Sequence, residues 1–360
     1  MSFADVAAAL AQERAVPLLV SGGTFAGSGP MEAPPATRSR VTADDGVELY
    51  VEVQDAPGAT ATVVFCHGFL LDSTSWHVQR ATLAGKVRVV LWDHRGHGRS
   101  GWGIPPNATI DQLGRDLYAV LEATTPRGPV VLVGHSMGGM AILGLAESHP
   151  ELFGDRVKGV VLASTSAGSL ASVTVGLPVP AARILHRVVP VTLGTLRRQA
   201  RLVDAARRPL GGMSFLLTSP YLFGSRVPKP VARLTTQLMA SVPIQVIAEF
   251  FTEFLTHDKR AALPVLGRVP VLVMVGDRDL ITPVEHSQVL ASAIPGAELI
   301  VIPHTGHLLI LERPAEVNQH LRDLITRVTE TAKTRNAPGA GRSTASVARR
   351  HRLHGARFRR

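Results

Sequence analysis

The sequence predicts an α/β protein with a mostly parallel, doubly wound sheet and one inserted helical segment. Short Val-rich apolar runs alternate with helix-like segments along most of the chain. This alternation stops after Ala163 and resumes at Val271, and the residues between are rich in Arg, Leu, Val and Phe but lack strand runs. Near-continuous apolar runs are typical of parallel strands buried on both faces, and intervening helices are typical of a doubly wound sheet.

The strands are expected in the following order. The first, at 47–53, alternates apolar and polar residues in the fashion of a strand after the turn Asp44-Asp45-Gly46. The other strands are near-continuous apolar runs at 62–66, 87–92, 130–133, 157–163, 271–275 and 299–302. The helix-like segments between most of them are 110–123, 137–148, 284–293 and 314–331.

Length and composition predict how the chain is divided. At 360 residues, 45% hydrophobic and 18% charged, it has room for one large domain with an insertion. We expect a flexible N-terminal extension at 1–38, a catalytic domain formed by 39–163 and 263–332, a helical cap at 164–262, and a basic disordered tail at 333–360. The extension lacks the features of a secretory signal, which predicts a cytoplasmic protein. Cys66 is the single cysteine, so an intramolecular disulfide is excluded.

The net charge of +10 is concentrated in two regions. Residues 333–360 hold nine Lys and Arg and no acid, and residues 164–262 hold twelve basic and four acidic residues. The rest of the chain carries a net negative charge. Because no nucleic-acid-binding motif accompanies the basic regions, we expect no nucleic-acid partner.

One motif carries a candidate nucleophile. Gly134-His135-Ser136-Met137-Gly138 follows the expected strand 130–133 and opens the helix that starts at Met137. A serine at a sharp strand-to-helix turn is held in a strained backbone that only small neighbours permit, with its hydroxyl at the positive end of a helix. The alternative is a glycine-rich turn with an incidental serine, and the strand-to-helix context disfavours it.

A serine nucleophile needs a base to take its proton and an acid to orient that base. Asp277 and Asp279 follow the expected strand 271–275, and His304 and His307 follow the strand 299–302. Spacing alone does not choose within either pair. A surface ion pair is the alternative role for each aspartate, and a solvated or capping side chain is the alternative for each histidine.

Taken together, these motifs resemble a serine-nucleophile α/β-hydrolase with a cap domain, over about residues 40–330. The family's acid usually stands in the pattern G-x-x-D-x-x-x-P, matched by Gly276, Asp279 and Pro283. Its histidine follows a glycine, as in Gly306-His307. The resemblance therefore implies an α/β-hydrolase fold, with Asp279 as the acid and His307 as the base.

Two further loops carry the resemblance. His67-Gly68 resembles the family's oxyanion loop, which implies the backbone N–H groups of Phe69 and Met137 as oxyanion donors. The run Asp-His-Arg-Gly-His-Gly-Arg-Ser at 93–100 resembles the loop D-x-R-G-x-G-x-S, which we interpret as structural. His94 and His97 within it are spaced as a metal pair would be, as are His304 and His307. All lie on glycine-rich loops outside an H-E-x-x-H helix, and we expect no metal and no cofactor.

The resemblance implies a serine hydrolase that cleaves carboxylic esters of small lipophilic substrates, as an esterase or a monoacylglycerol-lipase-like enzyme, through an acyl-enzyme. Two alternatives stay open: a carbon–carbon bond hydrolase acting on a diketone-like metabolite, and a non-enzymatic ligand receptor on the same fold. Relatives that open epoxides or remove halide use a carboxylate nucleophile, which Ser136 is not.

The expected cap bears apolar clusters and arginines. The clusters at 215–217, 221–223 and 250–255 are expected to pack its helices onto the body, with some side chains facing a lipophilic substrate. The arginines lie at helical spacing and could form one basic face: Arg197, Arg198, Arg201, Arg207 and Arg208. Such a face is either a solvated surface or a site of peripheral contact with an anionic membrane, and the tail offers a second such contact.

Overall fold

The computed structural model describes residues 36–207 and 218–336. Most of the expected N-terminal extension, Arg208, the apolar cluster at 215–217 and the tail beyond residue 336 lie outside the described residues.

A single eight-stranded sheet forms the centre of the described structure, in the order β1-β2-β4-β3-β5-β6-β7-β8. The strands are β1 (Thr37–Thr42), β2 (Glu48–Gln54), β3 (Thr62–Cys66), β4 (Arg88–Trp92), β5 (Val130–His135), β6 (Val157–Ala163), β7 (Val271–Gly276) and β8 (Glu298–Ile302). Strand β2 pairs antiparallel with β1 and β4, and all other pairs are parallel. The predicted mostly parallel sheet is therefore confirmed.

Helices cover both faces of the sheet. They are α1 (His77–Leu83), α2 (Ile110–Thr124), α3 (Met137–Ser148), α4 (Val179–Arg197), α5 (Ala200–Arg207), α6 (Lys229–Ser241), α7 (Ile244–Thr256), α8 (Leu263–Leu266), α9 (Val284–Ala293), α10 (Leu309–Glu312) and α11 (Pro314–Asn336). Alternate strand residues enter separate apolar cores: Val64 packs in the core that contains Leu117 of α2, and Val63 in the core that contains Leu324 of α11. The doubly wound arrangement follows from this alternation.

The folded part extends beyond the expected boundaries of the catalytic domain at both ends. Strand β1 begins at Thr37, within the expected extension, and it pairs along its whole length with β2. Its side chains are almost all exposed, so no apolar alternation marks it in the sequence. Helix α11 continues to Asn336, past the expected boundary at residue 332.

Residues 164–262, here called the insertion, join β6 to β7 through helices. Among its described residues the regular elements are α4 to α7, helical residues at 218–222 and short 3₁₀ turns, without a strand. The arginines expected on one face are divided between two helices, because α4 ends at Arg197 and α5 begins at Ala200. No single helix of the described residues is long and apolar enough to cross a membrane. Helices α6 and α7 together have the length and apolar composition of a membrane span, but the chain bends by 93° between them.

Candidate active site

Ser136 occupies the turn between β5 and α3 with φ of 51° and ψ of −118°, a left-handed conformation that is strained for a residue with a side chain. Its glycine neighbours are required by space. A Cβ atom on Gly138 would lie 2.1 Å from the carbonyl oxygen of Cys66, and one on Gly134 would lie 2.6 Å from that of Gly138. The tight turn therefore depends on the small residues of the motif.

A continuous chain of hydrogen bonds runs from Ser136 to the end of β7. Nε2 of His307 lies 2.9 Å from Oγ of Ser136. Nδ1 of the same ring lies 2.9 Å from Oδ2 and 3.1 Å from Oδ1 of Asp279. All three side chains are buried. The structure thus brings together three of the residues that the sequence singled out.

The environment of Asp279 stabilises its charged form. Its carboxylate accepts hydrogen bonds from the backbone amides of Ile281 and Thr282 at 2.9 Å, and from Oγ1 of Thr282 at 2.9 Å. Burial raises the pKa of this carboxyl group. The charge and hydrogen bond of His307, together with the backbone donors, lower the pKa by more than burial raises it, so the pKa lies below its ordinary value. Asp279 is therefore a charged carboxylate that fixes the His307 ring.

The other member of each ambiguous pair lies outside this chain. Asp277 is exposed, and its carboxylate accepts a hydrogen bond from the backbone amide of Thr305 at 3.1 Å. His304 is exposed as well, with Nδ1 2.8 Å from Nη2 of Arg278. Both residues therefore stabilise the loop that carries His307.

Of the two backbone amides expected as oxyanion donors, that of Met137 is next to Ser136 in the chain and that of Phe69 is on a loop that lies against Ser136. Met137 is the first residue of α3, where backbone N–H groups have no intrahelical acceptor. Phe69 follows Gly68, whose Cβ position would lie 3.3 Å from Cβ of Ser136. Within the described ranges neither amide donates to a backbone acceptor outside regular elements. Both are thus available to an anion beside Ser136.

His135 supports the His307 loop, a role that the sequence analysis missed. Its Nε2 lies 2.9 Å from the carbonyl oxygen of His307, to which it donates a hydrogen bond. Burial, together with the neighbouring His307, lowers the pKa of His135 to about 3. The ring is therefore neutral and joins the serine turn to the main chain of the base. The motif spacing contains no signal for this contact.

Glu312 was missed for a similar reason. Its buried carboxylate accepts hydrogen bonds from the backbone amides of Gly306 at 2.8 Å and Gly224 at 3.1 Å, and from Oγ of Ser225 at 2.6 Å. One side chain thus joins the loop of His307 to the insertion. A Cβ atom on Gly306 would lie 2.5 Å from the nitrogen of Gly224, so the two segments are in close contact.

The loop at 93–100 is held by its own buried charges. Arg95 forms a bidentate ion pair with Asp116, with N–O distances of 2.7 and 2.6 Å, and also contacts Asp45. Asp93 accepts hydrogen bonds at 2.9 Å from the backbone amides of Ser73 and Arg99. These contacts support the loop, and none of them involves Ser136.

Buried histidines pack beneath the oxyanion loop. The His67 ring lies 4.5 Å from that of His94 and 5.4 Å from that of His97, centroid to centroid. Burial lowers the pKa of His97 to about 3 and that of His94 well below its ordinary value. In the described part of the chain no group of three or more His, Cys, Asp or Glu is arranged to hold a metal ion.

Aromatic side chains of the insertion cover the oxyanion loop. The Phe69 ring contacts the rings of Phe254 and Phe250 on α7, at centroid distances of 5.0 and 6.1 Å. The Trp102 ring also packs against Phe250, at a centroid distance of 5.8 Å. The insertion therefore places an apolar wall near Ser136.

Comparison with known proteins identifies the fold family. The sequence model of the α/β hydrolase fold family matches residues 61–314. A thermophilic esterase from Thermogutta terrifontis superposes with a TM-score of 0.63 at 29% identity, covering 82% of this chain and 100% of that chain. Est816, described as an N-acyl homoserine lactone degrading enzyme, gives a TM-score of 0.60 at 28% identity, over 79% of this chain and 99% of that chain.

A curated relative is the putative carbamate hydrolase RutD of Caulobacter sp. (strain K31). It is 28% identical over 275 residues, which are 75% of this chain and 92% of the relative. Because the family match spans more than half of the sequence, the chain belongs to the α/β hydrolase fold family and is a hydrolase of that superfamily.

Proposed function

We propose that this hydrolase of the α/β hydrolase fold family cleaves carboxylic esters of lipophilic substrates through an acyl-enzyme formed on Ser136. The observation that carries the proposal is the unbroken chain of hydrogen bonds from Asp279 through His307 to Oγ of Ser136. A hydroxyl bonded to an imidazole that is oriented by a buried carboxylate is the arrangement that nucleophilic acyl transfer requires.

Acylation follows from the positions of these atoms. Oγ of Ser136 attacks the ester carbonyl carbon while Nε2 of His307 takes the hydroxyl proton. The backbone amides of Phe69 and Met137 donate to the resulting oxyanion, an interaction worth about 3–4 kcal/mol for a donor in comparable sites. Asp279 stabilises the imidazolium. His307 then returns the proton to the alkoxide that leaves, and the acyl group remains on Ser136.

Deacylation repeats these steps with water. His307 takes a proton from a water molecule as its oxygen attacks the acyl carbon, and the second tetrahedral intermediate uses the same oxyanion donors. When it collapses, Oγ of Ser136 leaves with the proton from His307, and the carboxylic acid is released. Ester and water are consumed, and acid and alcohol are produced.

The apolar wall supports a lipophilic substrate. Phe69 and Phe254 are half-buried and present aromatic surface near the serine, with Phe250 buried against them, and burying such surface against alkyl or acyl groups is favourable. The likeness to an esterase and to a lactone-degrading enzyme supports attack on an ester carbonyl.

Carbamate hydrolysis is a second candidate, because several relatives are named putative carbamate hydrolases. The same nucleophile and base would attack a carbonyl carbon that carries an oxygen on one side and a nitrogen on the other. Comparing matched p-nitrophenyl esters and carbamates separates the two candidates by their kcat/KM values.

The first experiment labels the protein with a fluorophosphonate probe. Wild type should be labelled and Ser136→Ala should not. Ser166→Ala is the matched control, because Oγ of Ser166 also lies 2.8 Å from a histidine nitrogen, Nδ1 of His286, but is fully buried. This control should be labelled as wild type is. Absence of labelling in wild type would favour the ligand receptor over an enzyme.

The second experiment measures hydrolysis of p-nitrophenyl esters across acyl chain lengths. We expect turnover that improves with longer chains, and a fall in kcat of about 10⁴-fold to 10⁶-fold in Ser136→Ala. A labelled serine without ester or carbamate turnover at any chain length would contradict the proposal and favour the carbon–carbon bond hydrolase.

A further inference from the structure

Helix α4 exposes an apolar line to solvent. Ile184, Val188 and Val191 are 62%, 53% and 71% exposed. Their spacing of four and three residues places them on one face of the helix. We call these three residues the apolar ridge. Single exposed apolar side chains are ordinary on protein surfaces, but a contiguous apolar row marks a contact site.

Arginines border the ridge. Arg187 and Arg198 are exposed, and their helical spacing from Val191 places them beside the same face. Among the described residues no ion pair engages either arginine. The single acid on α4 and α5 is Asp204, which pairs with Arg207. The described surface of α4 and α5 is therefore apolar at its centre, cationic at its border, and without a free carboxylate.

The ridge lies on the outer side of the layer that covers the candidate active site. Helix α4 packs against α7. On its other side α7 places Phe250 and Phe254 against Phe69, next to Ser136. A binding partner that contacts the ridge would therefore lie on the outer side of the insertion.

We propose that the ridge, with Arg187 and Arg198, docks onto the surface of an anionic phospholipid bilayer. The apolar side chains enter the boundary between headgroups and acyl chains, and the guanidinium groups contact lipid phosphates. A second copy of the chain fits this surface less well. A symmetric contact through the ridge would place arginines opposite arginines, without a carboxylate to neutralise them. This inference does not depend on the reaction at Ser136.

The test compares two matched double variants of the full chain by cosedimentation with vesicles. Val188→Ser with Val191→Ser removes ridge surface. Val289→Ser with Val301→Ser makes the same chemical change at valines that are 49% and 42% exposed on α9 and β8. We expect wild type to bind vesicles of phosphatidylcholine mixed with phosphatidylglycerol, and the ridge variant to bind about tenfold more weakly. The control variant should bind as wild type does.

The basic tail is present in all of these proteins, so binding through the tail would be equal in the two variants. Equal binding would overturn the proposal, as would absence of vesicle binding by wild type. A dimeric wild type with a monomeric ridge variant would also overturn it, because the ridge would then contact a second copy of the chain. Equal thermal midpoints of the two variants check that both are folded. Arg187→Gln with Arg198→Gln should reduce the preference for anionic over neutral vesicles, with the contribution of the tail unchanged.

Insertion into the bilayer has a separate readout. Cys66 is buried and is the single cysteine, so a new surface cysteine can be labelled selectively with an environment-sensitive fluorophore. Label on Val188→Cys should brighten when anionic vesicles are added, and label on Val289→Cys should not. Brightening at both positions, or at neither, would contradict docking through the ridge.

Discussion

The body and the insertion place their polar and apolar groups in opposite ways. In the body, charged and polar side chains are buried and paired, as Arg95 is with Asp116 and His307 is with Asp279. In the described part of the insertion, large apolar side chains are left on the surface. Of the nine large hydrophobic residues that are exposed in ranges 36–207 and 218–336, six lie there: Val179, Ile184, Val188, Val191, Leu196 and Leu202. The body therefore buries its polar groups, whereas the described part of the insertion exposes apolar ones, as the proposed docking onto a bilayer requires.

The largest expected effect follows from the buried polar chain of the body. Asp279→Asn keeps the shape of the acid but offers an amide to Nδ1 of His307, which favours the wrong tautomer of the imidazole. We expect kcat for p-nitrophenyl esters to fall about 10⁴-fold while the thermal midpoint stays near that of wild type.

Two controls sharpen this comparison. Asp277→Asn makes the same change at the exposed aspartate two residues away, and Arg198→Gln removes an exposed charge from the insertion. Both should leave kcat nearly unchanged. A fall in Asp277→Asn as large as that in Asp279→Asn would show that the hydrogen-bonded acid is not the one that acts.

The next effect concerns stability. Arg95→Met leaves the Asp116 carboxylate fully buried without its bidentate partner, which should cost about 3–5 kcal/mol in the free energy of unfolding. Arg260→Gln breaks an exposed ion pair with Asp258 in the insertion and should leave urea unfolding unchanged. If the two variants lost similar amounts of unfolding free energy, the ion pairs of the body and of the insertion would not differ in their contribution to stability.

The smallest effect is a dependence of stability on pH. Burial lowers the pKa of His97 from 6.5 to about 3, so between these values the unfolded chain binds a proton that the folded chain does not. Stability should therefore fall as pH falls through this window, by up to about 1.4 kcal/mol per pH unit for this group. His135 acts in the same direction.

Urea unfolding between about pH 7 and about pH 5 checks this expectation. His97→Gln should unfold with a shallower pH dependence than wild type, because one of the groups that titrate in the unfolded chain is absent. An unchanged slope would mean that His97 takes up its proton in the folded protein as readily as in the unfolded one.

The sequence by itself determined the sheet and the location of the candidate site. Val-rich runs have few stable positions other than the centre of a parallel sheet, and the structure places strands at 62–66 and 157–163 as predicted. Glycines around Ser136 signalled the tight turn, because a Cβ atom there meets backbone. The edge strand β1 escaped prediction, since an exposed strand has no apolar alternation.

Tertiary structure alone decided which side chains meet. Asp277 and Asp279 stand two residues apart in one loop, and only the packed loop turns one into the core and the other to solvent. Glu312 reaches Gly224 across 88 residues, a contact that no local pattern encodes. The exposure of the ridge on α4 is also decided by tertiary packing. Periodicity gives a helix an apolar face, but the neighbours it packs against decide whether that face is covered, and here α7 packs on α4 while the ridge stays exposed.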